Sequence, residues 1–343
     1  APTVGIRQGS LVPDGRSHVT GSRPPACHRG WTFKEMKTLL VRMIENIDCM
    51  EGMKAFPDNS IDIVITDPPY FLDKLETSWN STDVRSNHAS KTVGNLPKGM
   101  KFDRNQSKRF REYYTEFSKE VFRVLKPGGF FLSFSSARLY HAMATGVEEA
   151  NFNIRDMLGW IYTQSQVKAF SQNHIINKSK GKTDEEKQKL IEKCEGWRTP
   201  QLKPAIEPIC LAQKPPHGTF VENFDKYGTG LMYCGDVTKT GDGKFPSNIV
   251  TTDEMNEDMD RVFLVSKPNK KEKEGNDHIT VKPLELIEHL IRLFSSENAV
   301  VLDPFMGSGT TAVAAVNTGR KYKGFEIDKG HYELALKRLE RNA

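Results

Sequence analysis

Short apolar runs alternate with longer amphipathic stretches along much of this chain. The run 61–66 is apolar, rich in β-branched residues and too short for a helix, so it predicts a buried strand. Residues 110–125 place aromatic and aliphatic side chains at helical spacing, and the glycines after them predict the end of that helix. Residues 130–134 and 155–164 then predict two further strands.

The pattern returns near the C-terminal end of the sequence. Residues 282–294 carry apolar side chains on one helical face, and the run 298–303 after them predicts a strand. A glycine turn, a helix at 310–319, a strand at 323–328 and a helix at 331–340 follow. This order predicts a βαβ unit, so we expect an α/β fold with a parallel sheet.

The middle of the chain has a different character. Residues 168–204 and 214–280 are polar, rich in lysine and short of periodicity, apart from a predicted helix at 184–194. Between them, the apolar run 205–212 predicts a strand that returns to the sheet. We therefore expect an irregular insert between two halves of one α/β domain.

Composition narrows the class of protein. Of 343 residues, 27% are charged and 37% hydrophobic, which is typical of a soluble globular protein, and no apolar run approaches the ~20 residues that span a bilayer. The first thirty residues lack the apolar core of a signal peptide, so we expect a cytoplasmic location. Five scattered cysteines without a CxxC pair indicate neither a metal site nor a disulfide framework. The net charge of +5 permits an anionic partner without demanding one.

The sequence Asp67-Pro68-Pro69-Tyr70 directly follows the first predicted strand. Proline cannot donate a ladder hydrogen bond, so the strand ends there. Asp67 and Tyr70 are therefore expected at the carboxyl end of a strand, where open α/β sheets bind ligands. An ordinary strand-ending turn is the alternative.

A second motif lies between the strand at 298–303 and the next helix. Gly307, Ser308 and Gly309 allow a ligand to approach the backbone closely, and the helix start offers free N–H groups. Glu326 lies about 20 residues beyond Asp303, the spacing at which an acid holds ribose hydroxyls. The motif predicts a site for an adenosine-containing cofactor, and a tight turn without a ligand is the alternative.

Together, DPPY upstream and DPFMGSGTT downstream resemble the amino-methyltransferases of DNA, and their order resembles the β class of that family. The resemblance covers roughly residues 36–343 apart from the middle insert. It implies a Rossmann-like, mostly parallel methyltransferase sheet with helices on both faces, plus an inserted, irregular target-recognition region. The implied division is a leader at 1–33, a catalytic half at 34–167, the recognition insert at 168–279 and a cofactor half at 280–343.

The resemblance also implies a role for each motif residue. S-adenosylmethionine would be the methyl donor, and Asp67 and the Pro68 carbonyl would accept the two hydrogens of the target amine. Pro69 would fix that turn and Tyr70 would stack on a base flipped out of the duplex. The implied cofactor contacts are Asp48, Cys49, Lys282, Asp303, Phe305, Gly307, Ser308, Gly309, Thr310 and Glu326. Among these, Asp48 would meet the adenine amine unless it is only a helix cap, and Lys282 would reach the methionine carboxylate.

Double-stranded DNA is the expected partner, with a homodimer as a further expectation. A basic segment beside the first motif offers phosphate contacts through Lys98, Lys101, Arg104, Lys108 and Arg109. We expect site-specific methylation of adenine N6, because related cytosine enzymes more often have serine where Asp67 stands. Cytosine N4 methylation and a non-catalytic DNA-binding subunit are the alternatives. Methylation of RNA or of protein glutamine is disfavoured by the order of the motifs.

Overall fold

The structure, a computed structural model, describes the chain in seven stretches. These are residues 43–69, 105–162, 169–200, 202–235, 246–251, 263–264 and 282–342. They form one nine-stranded sheet with helices against it.

The strands of the sheet run in the spatial order β1-β9-β8-β2-β3-β5-β4-β6-β7. They are β1 (Ile44–Glu45), β2 (Ile61–Thr66), β3 (Leu125–Phe134), β4 (Asn153–Ile161), β5 (Ile206–Gln213), β6 (Ile249–Thr251), β7 (Phe263–Leu264), β8 (Val300–Asp303) and β9 (Lys321–Phe325). Only β5 runs antiparallel to its neighbours, β3 and β4, while the other pairs are parallel. The predicted mostly parallel, Rossmann-like sheet is confirmed.

Helices cover both faces of this sheet, as predicted. They are α1 (Cys49–Lys54), α2 (Gln106–Val124), α3 (Tyr140–Glu149), α4 (Asn173–Asn177), α5 (Asp184–Lys193), α6 (Phe220–Tyr227), α7 (Leu284–Phe294), α8 (Thr310–Asn317) and α9 (Lys329–Asn342). One apolar core lies between the sheet and α7, α8 and α9, and the other lies between the sheet and α1, α2 and α3.

Strand β2 separates the two cores because its side chains alternate between the faces. Ile63 and Ile65 pack into the core beneath α7, whereas Val64 packs into the core beneath α2. The buried carboxylate of Asp62 accepts from the Val300 backbone N–H at 2.7 Å and from the Lys126 ammonium at 2.6 Å. β2 is therefore held between its two neighbours by side-chain bonds as well as by the ladder.

The boundary between α2 and β3 differs from the expected one. The helix ends at Val124, but the strand already begins at Leu125, so it includes the Lys-Pro-Gly-Gly sequence that precedes the strand predicted at 130–134. A register shift opposite Ile61–Ile63 accommodates these residues. The carbonyl of Pro127 accepts instead from Asn223 and Thr229, so the irregular end of the strand is anchored to α6.

Within the middle segment the structure contains more order than its composition suggests. The predicted helix and strand are confirmed as α5 and β5, whereas α4, α6, β6 and β7 were not predicted. Thr183 and Thr219 each form a capping box with the glutamate three residues later, at the starts of α5 and α6. That T-x-x-E spacing is a sequence signal that would have found α6.

No helix within the described stretches is both long and apolar enough to cross a bilayer.

The two-sided core leads to a stability prediction. Leu132 is fully buried in β3 and Leu202 is 92% exposed, so the same truncation probes core and surface. We expect Leu132→Ala to lower the free energy of unfolding by about 2–5 kcal/mol, because it leaves a cavity beneath α7. Leu202→Ala should change it by no more than about 0.5 kcal/mol. Denaturant titration followed by circular dichroism measures both, and equal losses would contradict the placement of Leu132 in the core.

Candidate active site

Four acidic side chains lie at the carboxyl ends of four neighbouring parallel strands. Asp48 follows β1, Glu326 follows β9, Asp303 ends β8 and Asp67 follows β2. Open α/β sheets bind ligands at this edge. The sheet therefore brings the two predicted motifs together although they lie far apart in the sequence.

Asp303 joins the two motifs directly. One carboxylate oxygen accepts from the Thr66 hydroxyl at 2.7 Å and from the Phe305 N–H at 3.0 Å, and the other accepts from the Thr311 hydroxyl at 2.6 Å. Burial raises the pKa of Asp303 to about 6, and these hydrogen bonds oppose that rise. Because Thr66 precedes Asp67, the turn after β8 and the turn after β2 are fixed to the same buried carboxylate.

The glycine turn after β8 is held from the C-terminal helix. Gly309 has φ of 82°, and a Cβ at this position would meet Ala335 of α9 at 2.9 Å. Both the backbone conformation and the packing against α9 therefore require glycine. The buried Arg338 guanidinium donates to the Ser308 carbonyl at 2.8 Å, the Ser308 hydroxyl at 2.9 Å and the Thr310 hydroxyl at 3.1 Å. The hydroxyls of Ser308 and Thr310 are thus already engaged by the protein, and their contact with the cofactor stays a prediction.

Glu326 lies across the same turn. Its two oxygens accept from the Gly307 N–H at 2.7 Å and from the Asp328 N–H at 2.8 Å. Burial raises the pKa of Glu326 to about 7, while the two backbone donors oppose the rise. Hydroxyl donors from a ribose would further stabilise the ionised carboxylate, so this side chain fits the predicted cofactor.

The neighbouring strand end supplies Asp48 and Cys49. Asp48 caps α1 by accepting from Met50 N–H at 2.9 Å and Glu51 N–H at 3.4 Å, and it is exposed at the sheet edge. The structure therefore shows the cap, and its contact with an adenine amine stays a prediction. Cys49 is buried, and burial together with the Asp48 charge raises the pKa of its thiol to about 12. This thiol is a packing group rather than a nucleophile.

Phe305 extends the cofactor side of the site. It is half-buried, and its ring packs on Phe117 of α2 with the ring centroids 5.3 Å apart. Its position between the glycine turn and α2 suits the predicted contact with the cofactor.

Lys282 has partners other than the one predicted for it. Its ammonium lies 2.6 Å from an Asp67 oxygen and 2.7 Å from a Glu207 oxygen, and its side chain is 8% exposed. Burial lowers the pKa of Lys282, but the two carboxylates outweigh burial and raise it above the ordinary value. Lys282 therefore lies beside Asp67, and its contact with a methionine carboxylate stays a prediction.

The remaining predicted residues fall into two groups. Pro68 is buried and Pro69 half-buried at the end of β2, and Lys108 and Arg109 are exposed in the first turns of α2. Tyr70, Lys98, Lys101 and Arg104 lie outside the described residues.

Three residues of the site were missed by the sequence analysis. Thr66 has no signal beyond its place before Asp67. Arg338 shares a helical face with the buried Ala335 and Leu339, and a charge in such a stripe is a readable signal. Glu207 is a charged residue at the start of an apolar strand, which is a weaker signal of the same kind.

The raised pKa of Glu326 predicts a pH effect on stability. The folded protein holds a proton on Glu326 up to about pH 7, whereas the unfolded chain releases it near its ordinary value of 4.5. Glu326 therefore makes stability fall as pH rises through this window, by up to roughly 3 kcal/mol. Because glutamine does not titrate, Glu326→Gln should lose less stability than the wild type between pH 5 and pH 8.

Denaturant titrations at those two pH values measure the difference. Glu333→Gln, which neutralises an exposed carboxylate on α9, is the control and should follow the wild type. If the stability of Glu326→Gln depends on pH as that of the wild type does, the pKa of Glu326 is not raised in the folded protein.

Comparison with known proteins agrees with this arrangement of motifs. The type II methyltransferase M.HindIII of Haemophilus influenzae is 26% identical over 317 residues, covering 88% of this chain and 96% of its own length. M2.DpnII of Streptococcus pneumoniae is 26% identical over 308 residues, covering 90% and 91%. A solved structure of the PvuII DNA methyltransferase, titled cytosine-N4-specific, shares the fold with a TM-score of 0.53 at 19% identity, covering 87% of this chain and 85% of its own.

A family model described as DNA methylase, of the N6 and N4 type, matches residues 61–337. That span contains β2 through most of α9, and so it includes both motifs and the insert between them. The chain belongs to this family, the S-adenosylmethionine-dependent DNA amino-methyltransferases.

Proposed function

We propose that this enzyme is a site-specific methyltransferase for the exocyclic N6 amine of an adenine flipped out of double-stranded DNA. The observation that carries the proposal is the position of Asp67. Its carboxylate follows β2, and Thr66 beside it is bonded to Asp303 at the start of the cofactor turn. An acceptor for the target amine is thereby held next to the expected methyl donor.

The target amine is a poor nucleophile because its lone pair is delocalised into the ring. Asp67 accepts one amine hydrogen and the Pro68 carbonyl accepts the other, which favours a pyramidal nitrogen. Bound S-adenosylmethionine would supply a methyl group activated by its sulfonium, so that the N–C bond would form as the S–C bond breaks. The positively charged methylated amine would then lose one proton to water. The contribution of the protein is position and electrostatic stabilisation. Pro68 and Pro69 fix the carbonyl and bring no competing N–H.

Adenine is favoured over cytosine by the nature of the first motif residue. Asp67 is a carboxylate, the stronger acceptor, whereas related cytosine enzymes more often have serine at this position. A carboxylate also serves cytosine, so N4 methylation is the competing function. The similarity of the chain to type II methyltransferases supports a role in restriction-modification, acting on DNA in the cytoplasm. A homodimer stays a prediction.

Nucleoside analysis tests the base. Plasmid DNA treated with the protein and S-adenosylmethionine is digested to nucleosides and measured by mass spectrometry. We expect N6-methyladenine, and Asp67→Ala should lower its rate of formation by on the order of 100-fold or more, by analogy with the loss of an oxyanion donor. The Glu333→Gln variant should retain the wild-type rate. N4-methylcytosine without N6-methyladenine would show that the target base is cytosine rather than adenine. The absence of any methylated base would support a non-catalytic subunit.

The exposed start of α2 gives a prediction about DNA contact. If Lys108 and Arg109 contact phosphates, replacing both by glutamine should flatten the plot of log binding constant against log salt by about 0.9 per lost contact. Lys329 and Lys337 are exposed on α9, and their double replacement by glutamine is the matched control. Fluorescence anisotropy with a labelled duplex measures each slope. Equal slopes in the two double variants would show that Lys108 and Arg109 are ordinary solvent-exposed residues that do not contact phosphates.

A further inference from the structure

Three distant segments of the chain meet at one buried ammonium group. Asp67 follows β2, Glu207 lies in β5, and Lys282 precedes α7. The Lys282 Nζ atom lies 2.6 Å from Asp67 Oδ2 and 2.7 Å from Glu207 Oε1. The three side chains are 8% (Lys282), 15% (Glu207) and 22% (Asp67) exposed, so all three charges are largely removed from solvent.

The surroundings of Lys282 keep it charged and in place. Its ammonium lies 5.0 Å from the ring centroid of Phe134 and 6.0 Å from that of Trp160, distances at which an aromatic face attracts a cation. A buried charge is costly without partners, and here two carboxylates compensate it. Lys282 therefore acts as a pure hydrogen-bond donor toward Asp67, because an ammonium has no acceptor.

This arrangement has two consequences for Asp67. The bond to Oδ2 fixes the direction of the carboxylate at the end of β2. The second consequence is electrostatic: Lys282 alone would cancel the charge of Asp67, whereas Glu207 returns the three-residue group to a net charge of −1. The amine nitrogen becomes positive as it accepts a methyl group, so a net negative neighbourhood stabilises the transition state more than a neutral one.

We propose that Lys282 and Glu207 are positioning residues that orient Asp67 and set the net charge around the target amine. The inference rests on the proposed function, because Asp67 is the acceptor through which both residues act. Glu207 belongs to β5, the antiparallel strand of the middle segment, so that segment supplies part of the chemical site.

A double-mutant cycle tests the proposal. In Lys282→Met the Asp67 and Glu207 carboxylates are left close together without their cation, which is unfavourable in a buried site. Adding Glu207→Gln removes one of those charges. The double variant should therefore be more stable than Lys282→Met and methylate DNA faster, and the two changes should be strongly non-additive.

Single-turnover rates and calorimetric affinity for S-adenosylmethionine are measured for each variant. Glu207→Gln should lower the rate by roughly tenfold with cofactor affinity within about twofold, by analogy with outer partners of metal ligands. Lys282→Arg keeps the charge and should retain more activity than Lys282→Met. Glu333→Gln, the exposed control, should match the wild type in both measurements.

Two results would overturn the proposal. If Lys282→Met mainly weakens cofactor binding while Glu207→Gln changes nothing, the lysine serves the methionine carboxylate. If the losses of the two single variants, expressed as activation free energies, simply add in the double variant, Glu207 does not act through Lys282. The unfolding free energies of the four proteins in the cycle are measured without any methylation. An inactive wild type would therefore refute the proposed function, while the unfolding data would still test the interaction among Asp67, Glu207 and Lys282.

Discussion

The architecture of the site depends on one buried carboxylate. Asp303 could not remain in the interior without its hydroxyl and backbone donors, since an unpaired carboxylate there is strongly disfavoured. Those donors come from β2, from the turn after β8 and from the start of α8. Satisfying Asp303 therefore fixes the relative positions of the two turns that the proposed chemistry needs. A change on either turn is therefore transmitted to the other through the Asp303 side chain.

Neighbouring strands of the sheet supply different parts of the site. β1, β9 and β8 end in the groups suited to the cofactor, while β2 and β5 supply Asp67 and Glu207 on the side proposed for the base. Lys282, just ahead of α7, connects that side to the C-terminal part of the sequence. The middle segment is consequently part of the sheet itself, because its strand β5 lies between β3 and β4 and brings the Glu207 carboxylate to Lys282.

Sequence periodicity predicted the helices and strands whose apolar pattern is set by burial. Strand β2 and the βαβ unit at the end were predictable because apolar residues must face a core, and the positions of Asp67 and Glu326 followed from strand ends. The partners of Lys282 were not predictable, because a lysine pairs across space with residues that share no sequence spacing with it. β6 and β7 were missed since a strand of two or three residues is too short to repeat even the two-residue alternation of a strand.

The pairing of β1 with β9 has a kinetic consequence. Ile44 and Glu45 pair with Gly324 and Phe325, so this edge closes only when segments from opposite ends of the described chain meet. Such non-local contacts pay loop-closure entropy before they return any energy. The central strand β2 also makes a non-local pair with β8, but it has a second, nearer partner in β3. We therefore expect the β1 edge to close after β2 has paired with β3. Asp48 and Glu326 flank exactly that edge, whereas Asp67 lies on the central β2. In a folding intermediate with its centre formed and this edge still open, Asp67 would be in place while Asp48 would not yet lie beside Glu326.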